Sequence, residues 1–304
     1  MCSAQALKKG LNDIAANKSA VLLLWLTNLA LALVVALPFF SWLGKLNHTT
    51  AAEATLNSFS LPLLFDLARY DFSSVFRLLG TLVFWLVVCA SVVSTFMSGG
   101  VLSVLANPGQ QPFLEHFFAG AGRYFPRFFR LLLGAGLCGG ALVLALNAGL
   151  GILIAHLSQD ASELTPLLLL LGQGAVNVLV GTVFLLALHY ARIETVIDGS
   201  VGMTRVFLRS LVFVFRNILA VFALIAVFAA VTGGVYLVYA IVQGALPTTT
   251  WLLILLLMAI QQVAALARSA FQVGLYGAEL KLFLLRRPRM PEPIPILPVE
   301  APVD

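Results

Sequence analysis

Five stretches of this chain carry no Asp, Glu, Lys or Arg: residues 19–44, 78–114, 131–159, 164–191 and 217–267. Each exceeds the roughly 20 residues that a helix needs to cross the hydrocarbon core of a bilayer. The last turns near its middle at Gln243-Gly244-Ala245-Leu246-Pro247-Thr248 and is long enough for two crossings. Only 10% of the 304 residues are charged, while 61% are hydrophobic. A soluble domain has about 25% charged residues, so this chain could not cover its surface with groups that water solvates. The expected fold is all-α and polytopic. Six transmembrane helices, near 20–42, 78–102, 131–157, 165–190, 211–242 and 249–284, pair as three hairpins within one domain over 1–287, with interfacial amphipathic helices between them. The first apolar run is about 24 residues, which reads as a retained span and not as a cleavable signal. Cys2, Cys89 and Cys138 suggest neither a disulfide framework nor a lipoprotein signal.

The few charges are sorted by side. With these spans, Lys8, Lys9, Lys18, Arg123, Arg127, Arg130, Arg192, Arg205, Arg209, Arg216, Arg268, Lys281, Arg286, Arg287 and Arg289 fall on one face, and only Lys45, Arg69 and Arg77 on the other. Basic residues near span ends are retained in the cytoplasm, so both termini are expected there. Glu53, Asp66, Asp71, Asp160 and Glu163 sharpen the asymmetry by falling on the outer face. The net charge of +5 is therefore a cationic inner collar. Attraction to anionic lipids of the inner leaflet accounts for it, and nucleic acid need not be invoked.

Each hairpin begins with a segment that ends in a basic residue and runs into a span: Asn17-Lys18-Ser19-Ala20-Val21-Leu22, Phe129-Arg130-Leu131-Leu132-Leu133 and Phe215-Arg216-Asn217-Ile218-Leu219. A threefold repeat and a chance likeness of basic-then-apolar junctions both fit this pattern. Arg123, Arg127 and Arg130 stand at i, i+4, i+7 and share a helix face, as do Arg205, Arg209 and Arg216 at i, i+4, i+11. Such helices belong in the headgroup layer, with arginines towards phosphates and aromatics towards acyl chains. The two sets serve either as a topology signal with an aromatic belt or as an interface for an anionic lipid or a protein partner.

Outside, residues 43–77 form one long loop whose second half, Leu61 to Phe72, reads as a short amphipathic helix; Asn47-His48-Thr49 is formally a glycosylation triplet. The segment from Pro288 to Asp304 contains six prolines. It is expected to be an extended cytoplasmic tail, either solvated or docked on a partner.

The spans are poor in chemistry. Their polar residues are Asn28, Asn147, Gln173, Asn177, Gln261 and Gln262, and no carboxylate or cation is expected near a span midpoint. A charge there would cost about 2.5–3.5 kcal/mol even on lenient insertion scales. Small residues at helical spacing, such as Ala90, Ser94 and Ser98, or Gly136 and Gly140, suggest close helix contacts. His48, His116, His156 and His189 are scattered over both faces, and no haem or metal ligand set is expected beyond an outer His156, Asp160, Glu163 trio. No phosphate-binding loop, nucleophile elbow or dinucleotide fingerprint occurs. No cofactor is implied.

The densest charged constellation is His189-Tyr190-Ala191-Arg192-Ile193-Glu194-Thr195-Val196-Ile197-Asp198-Gly199. With Arg268 and Glu279 from the last span, Arg192, Glu194 and Asp198 are expected to form an ion-pair knot between the inner hairpin ends. A lipid-headgroup site or a catalytic carboxylate pair at Glu194 and Asp198 is the sharper alternative.

Three hairpins with basic aromatic lead-ins, typified by Gly122-Arg123-Tyr124-Phe125-Pro126-Arg127-Phe128-Phe129-Arg130 and by Tyr190-Ala191-Arg192 through Asp198-Gly199, resemble a group of prokaryotic six-span proteins. That group is similar to the membrane domain fused to some bacterial glycerophosphodiester phosphodiesterases, and the likeness covers most of residues 5–285. It implies a bacterial inner-membrane location and a non-catalytic role, with no enzymatic site carried over. The expected function is a structural or accessory subunit or a lipid-interacting module. The alternative is a permease for an apolar or amphiphilic solute, which a cavity reaching Gln261 or Asn177 would favour.

Overall fold

The computed structural model describes residues 2–46, 72–109, 112–157, 164–199, 202–246 and 250–286. Every regular element among them is a helix: α1 (Cys2–Ala16), α2 (Lys18–Leu46), α3 (Phe72–Ala106), α4 (Phe113–Leu157), α5 (Leu164–Asp198), α6 (Met203–Arg216), α7 (Ile218–Ala245) and α8 (Trp251–Arg286). Five of them are long and apolar enough to cross a membrane, and the bent pair α1–α2 makes a sixth when taken as one. Most of the long loop with its glycosylation triplet, the acids Asp160 and Glu163, and the proline-rich tail lie outside the described residues.

Two asparagines set the bends. The Asn17 side chain donates to the Asp13 carbonyl at 3.0 Å, while its own carbonyl accepts from the Ala20 and Val21 amides. Asn217 does the same with Phe213 on one side and Ala220 and Val221 on the other. A short amide side chain that bonds local backbone competes with helix continuation, so each asparagine closes one helix and opens the next. At the first, α1 turns 80° away from α2. The second lead-in differs from expectation: Gly122 to Arg130 is no separate interfacial helix. It runs unbroken, through Pro126, within the 45 residues of α4. No asparagine stands there. The expected span 211–242 likewise divides, its first residues belonging to α6.

The lead-in helices pack in one pattern. α1 lies against α8, the first part of α4 against α3, and α6 against α5, so the first helix closes on the last. At the first crossing a Cβ added to Gly10 would meet the Gly274 carbonyl and Ala278; at the second, one added to Gly120 would meet Ser103. These glycines let helix backbones approach closely. Ser210 holds the corresponding place in α6 and touches Glu194. Eleven residues beyond Gly10, Gly120 and Ser210 stand Val21, Leu131 and Val221, all buried.

The core lies at one end of the bundle. Phe117, Phe128, Tyr190, Ile193, Val206, Val214, Val273 and Leu282 are sealed there. Helices α3, α4, α5 and α8 have 35 to 45 residues, or about 52–67 Å of rise, against a bilayer core of about 30 Å. Part of each therefore continues past the lipid, and those ends with α1 and α6 build the packed end. Towards the other end large apolar side chains point outward, Leu137 at 74% exposure and Leu144 at 72%. Gly136 and Gly140 meet nothing within 4 Å there, contrary to the close contacts their spacing suggests. The polar clamp in that half is Asn147, whose Oδ1 accepts from Gln173 at 2.6 Å and Asn177 at 2.8 Å.

Candidate functional site

The last turns of α5 and α8 and the outer face of α6 enclose an open cavity of about 820 Å³. Arg205, Arg209 and Arg216 from α6 and Arg286 from α8 line it, together with Glu194 and Asp198 from α5. α6 presents them because its three buried residues, Val206, Ser210 and Val214, recur every four residues and dock on α5. The arginines are left on the remaining surface.

Glu194 anchors the floor. Its Oε2 accepts from the Ser210 hydroxyl at 3.2 Å, and its Oε1 lies 3.8 Å from Arg209 Nη1. Arg286 donates to Asn217 Oδ1 at 2.8 Å, so the asparagine that breaks the helix also orients a guanidinium. Arg205 and Arg216 form no ion pair with a described residue within 4 Å. Leu208 and Val212 add exposed apolar wall between the arginines.

The expected ion-pair knot of Arg192, Glu194, Asp198, Arg268 and Glu279 is kept only in part: Arg192 and Glu279 interact electrostatically, with Tyr276 interacting with both, and the others part. Glu194 and Asp198 belong to the cavity. Arg192, buried, donates to Thr95 Oγ1 at 3.1 Å and rests over the Phe128 ring at 5.8 Å. Glu279 is fully buried and takes His189 as its partner, Nδ1 to Oε2 at 3.2 Å. The His189 ring stacks on Tyr276. Arg268 stands apart, midway along α8, in a second cavity of about 380 Å³ with Asn28, Ser91, Ser94 and Gln272. Register sets Arg268 apart: it stands three helical turns, about 16 Å, from Glu279 along α8, at a different level of the bundle.

The other arginine set behaves differently. Arg123 leans on the neighbouring Tyr124 ring at 5.8 Å, and neither Arg123, Arg127 nor Arg130 lines the cavity. Sequence spacing alone made the two sets look alike. Reading the residues missed Ser210, Asn217 and Thr95 as partners, although a lone asparagine just before a long apolar run was a visible signal for the break.

Among the described residues no group of three or more His, Cys, Asp or Glu is arranged to hold a metal ion. Neither cavity is lined by Gln261 or Asn177; Gln262, next to the first, accepts from the Trp25 indole at 3.2 Å and ties α2 to α8. No family model, characterised protein or solved structure matches this chain.

Proposed function

We propose that the chain is a non-enzymatic multi-pass protein of a bacterial inner membrane, six spans in three hairpins with both termini cytoplasmic. It works as an accessory subunit or lipid-interacting module through its basic face. The observation that carries this reading is the cavity at the packed end, where four arginines converge on one opening. A surface of this kind attracts anionic headgroups, and the uneven placement of basic residues supports a cytoplasmic side for the same end. The Ser210 hydroxyl and the Arg209 guanidinium beside Glu194 suit a structural anchor between α5 and α6. The permease reading gains no support from Gln261 or Asn177, since neither lines one of the two cavities.

The test is to change Arg123, Arg127, Arg205 and Arg209 together to Gln and to extract the protein in native membrane patches. Mass spectrometry then reads the lipids and subunits that come with it. Depletion of anionic lipid or loss of a subunit is expected. Unaltered retention of both removes the basis of the proposal.

A further inference from the structure

We infer that the cavity between α5, α6 and α8 is a binding site for one anionic membrane lipid that carries two phosphate charges. The inference rests on the lipid-interacting reading above and narrows it to one place, one stoichiometry and one headgroup chemistry.

Charge sets the headgroup. Four arginines face two carboxylates in the cavity, which leaves two positive charges unbalanced. A single phosphodiester would neutralise half of that excess, and two would neutralise it all. Arg205 and Arg216 are the groups to meet them, since neither pairs with a described residue. They lie eleven residues apart along α6, about 16 Å, so each can take a phosphate of its own without crowding the other. Guanidinium groups bind phosphate oxygens through paired N–H donors, so two phosphates held at separate arginines gain more than one shared between them.

Shape and continuity set the rest of the molecule. The volume of about 820 Å³ lies within the roughly 300–1,000 Å³ of ordinary ligand sites. The wall between the arginines is apolar, formed by Leu208 and Val212. Phe215 and then Leu219, which is 85% exposed, follow at helical spacing, so that exposed apolar residues recur from the cavity wall to the first turn of α7. α7 is one of the helices apolar enough to cross a membrane. A ligand with an anionic head and hydrocarbon chains satisfies both ends of that series, and a soluble phosphate satisfies only one.

The crossing itself explains why the site is here and not at the other two. α1 meets α8, and α4 meets α3, through glycines whose missing side chains bring the helices together. At α6 the contact is made by Ser210 reaching a buried carboxylate. The longer polar contact leaves a cleft beside it, and the cleft is where the arginines open.

The experiment is native mass spectrometry of the full chain, delipidated in mild detergent and titrated separately with cardiolipin, phosphatidylglycerol and phosphatidylcholine. One cardiolipin per chain is expected to remain bound, at least about tenfold more tightly than phosphatidylglycerol, as expected for one additional charge-assisted contact. The R205Q/R216Q variant is expected to lower cardiolipin affinity about tenfold or more, and R205K/R216K to recover much of it. Because both arginines are exposed and form no ion pair with a described residue, thermal unfolding of both variants should match the parent. An R123Q/R130Q variant, changed at arginines outside the cavity, should keep the one tightly bound cardiolipin even if loosely held anionic lipid is reduced. Equal loss in R123Q/R130Q and R205Q/R216Q would overturn the cavity assignment while the basic-face reading stands. No preference for either anionic lipid over phosphatidylcholine would overturn both. Full displacement of the lipid by millimolar pyrophosphate would instead assign the cavity to a soluble diphosphate and overturn the inference.

Discussion

Ser210 donates its hydroxyl to Glu194 Oε2 across 3.2 Å, and this contact ties α6 to α5 at the crossing where the other lead-in helices use glycine. Glu194 is almost fully buried and has Arg209 Nη1 only at 3.8 Å. A buried carboxylate that loses a hydrogen-bond donor keeps its desolvation cost. Ser210→Ala is therefore expected to destabilise the packed end by about 1–3 kcal/mol. Thermal unfolding in detergent measures it, and Ser210→Thr, which keeps the hydroxyl, is the companion variant. Equal melting of Ser210→Ala and the parent would mean that the contact contributes nothing.

Glycine positions separate into two kinds, and substitution distinguishes them. Gly10→Ala puts a Cβ against the Gly274 carbonyl, and Gly274→Ala puts one against Ile14. The Gly274 carbonyl cannot yield locally, so Gly10→Ala should loosen α1 from α8 and expose α1 to limited proteolysis, while the end of the Ile14 side chain can turn aside and Gly274→Ala should do so less. Gly136→Ala and Gly140→Ala meet nothing within 4 Å and are expected to leave the digestion pattern unchanged, or to stabilise slightly through better helix propensity. Early cleavage in Gly136→Ala would show that this face is packed after all.

Glu279, fully buried, and His189, partly buried, form a pair between α8 and α5, and the second oxygen of Glu279 has no hydrogen-bond partner among the described residues. Glu279→Ala removes the partner of the His189 nitrogen and is expected to cost about 1–3 kcal/mol. A double-mutant cycle with His189→Ala isolates the coupling. Coupling near zero would show that the two side chains are neighbours without an energetic link.

In the opposite half, Asn147 Oδ1 accepts from both Gln173 and Asn177. Asn147→Leu removes both bonds at once and strands two amides in an apolar setting. Interhelical hydrogen bonds in membranes are worth about 0.6 kcal/mol each on average and at most about 1.7, so a loss of about 1–3 kcal/mol is expected. Steric trapping or denaturant unfolding in bicelles reads it. No loss would mean that lipid-facing alternatives replace the bonds.

Asn17 and Asn217 share one local geometry, but only Asn217 also accepts from Arg286. Asn217→Ala is thus expected to destabilise by about 1 kcal/mol more than Asn17→Ala. It should also free the Arg286 side chain, which a spin label or crosslinker at a neighbouring position can follow. Equal effects would assign all of the contribution of Asn217 to the helix break.

Charge-free length and hydropathy were enough to place all-helical, membrane-crossing character in the sequence, because the cost of burying a charge in lipid is local to each residue and needs no partner. The helix limits of α2 lie within a few residues of an uncharged stretch, and α5 begins where one begins and continues past it into the packed end. Spacing also put Arg205, Arg209 and Arg216 on one face. What spacing could not decide was whether that face opens on a cavity or, as with Arg123, Arg127 and Arg130, lies along a helix surface. That depends on how α6 meets α5 and α8, and the register between helices is set by side chains far apart in the chain. His189 and Glu279 are 90 residues apart, and Arg192 reaches Thr95 across 97. Gly10 against Gly274 brings together the first helix and the last. Membrane residence is a sum over single residues and could be read from the sequence; the pairing of charges and the opening of the cavity arise from contacts between distant segments, which only the tertiary structure determined.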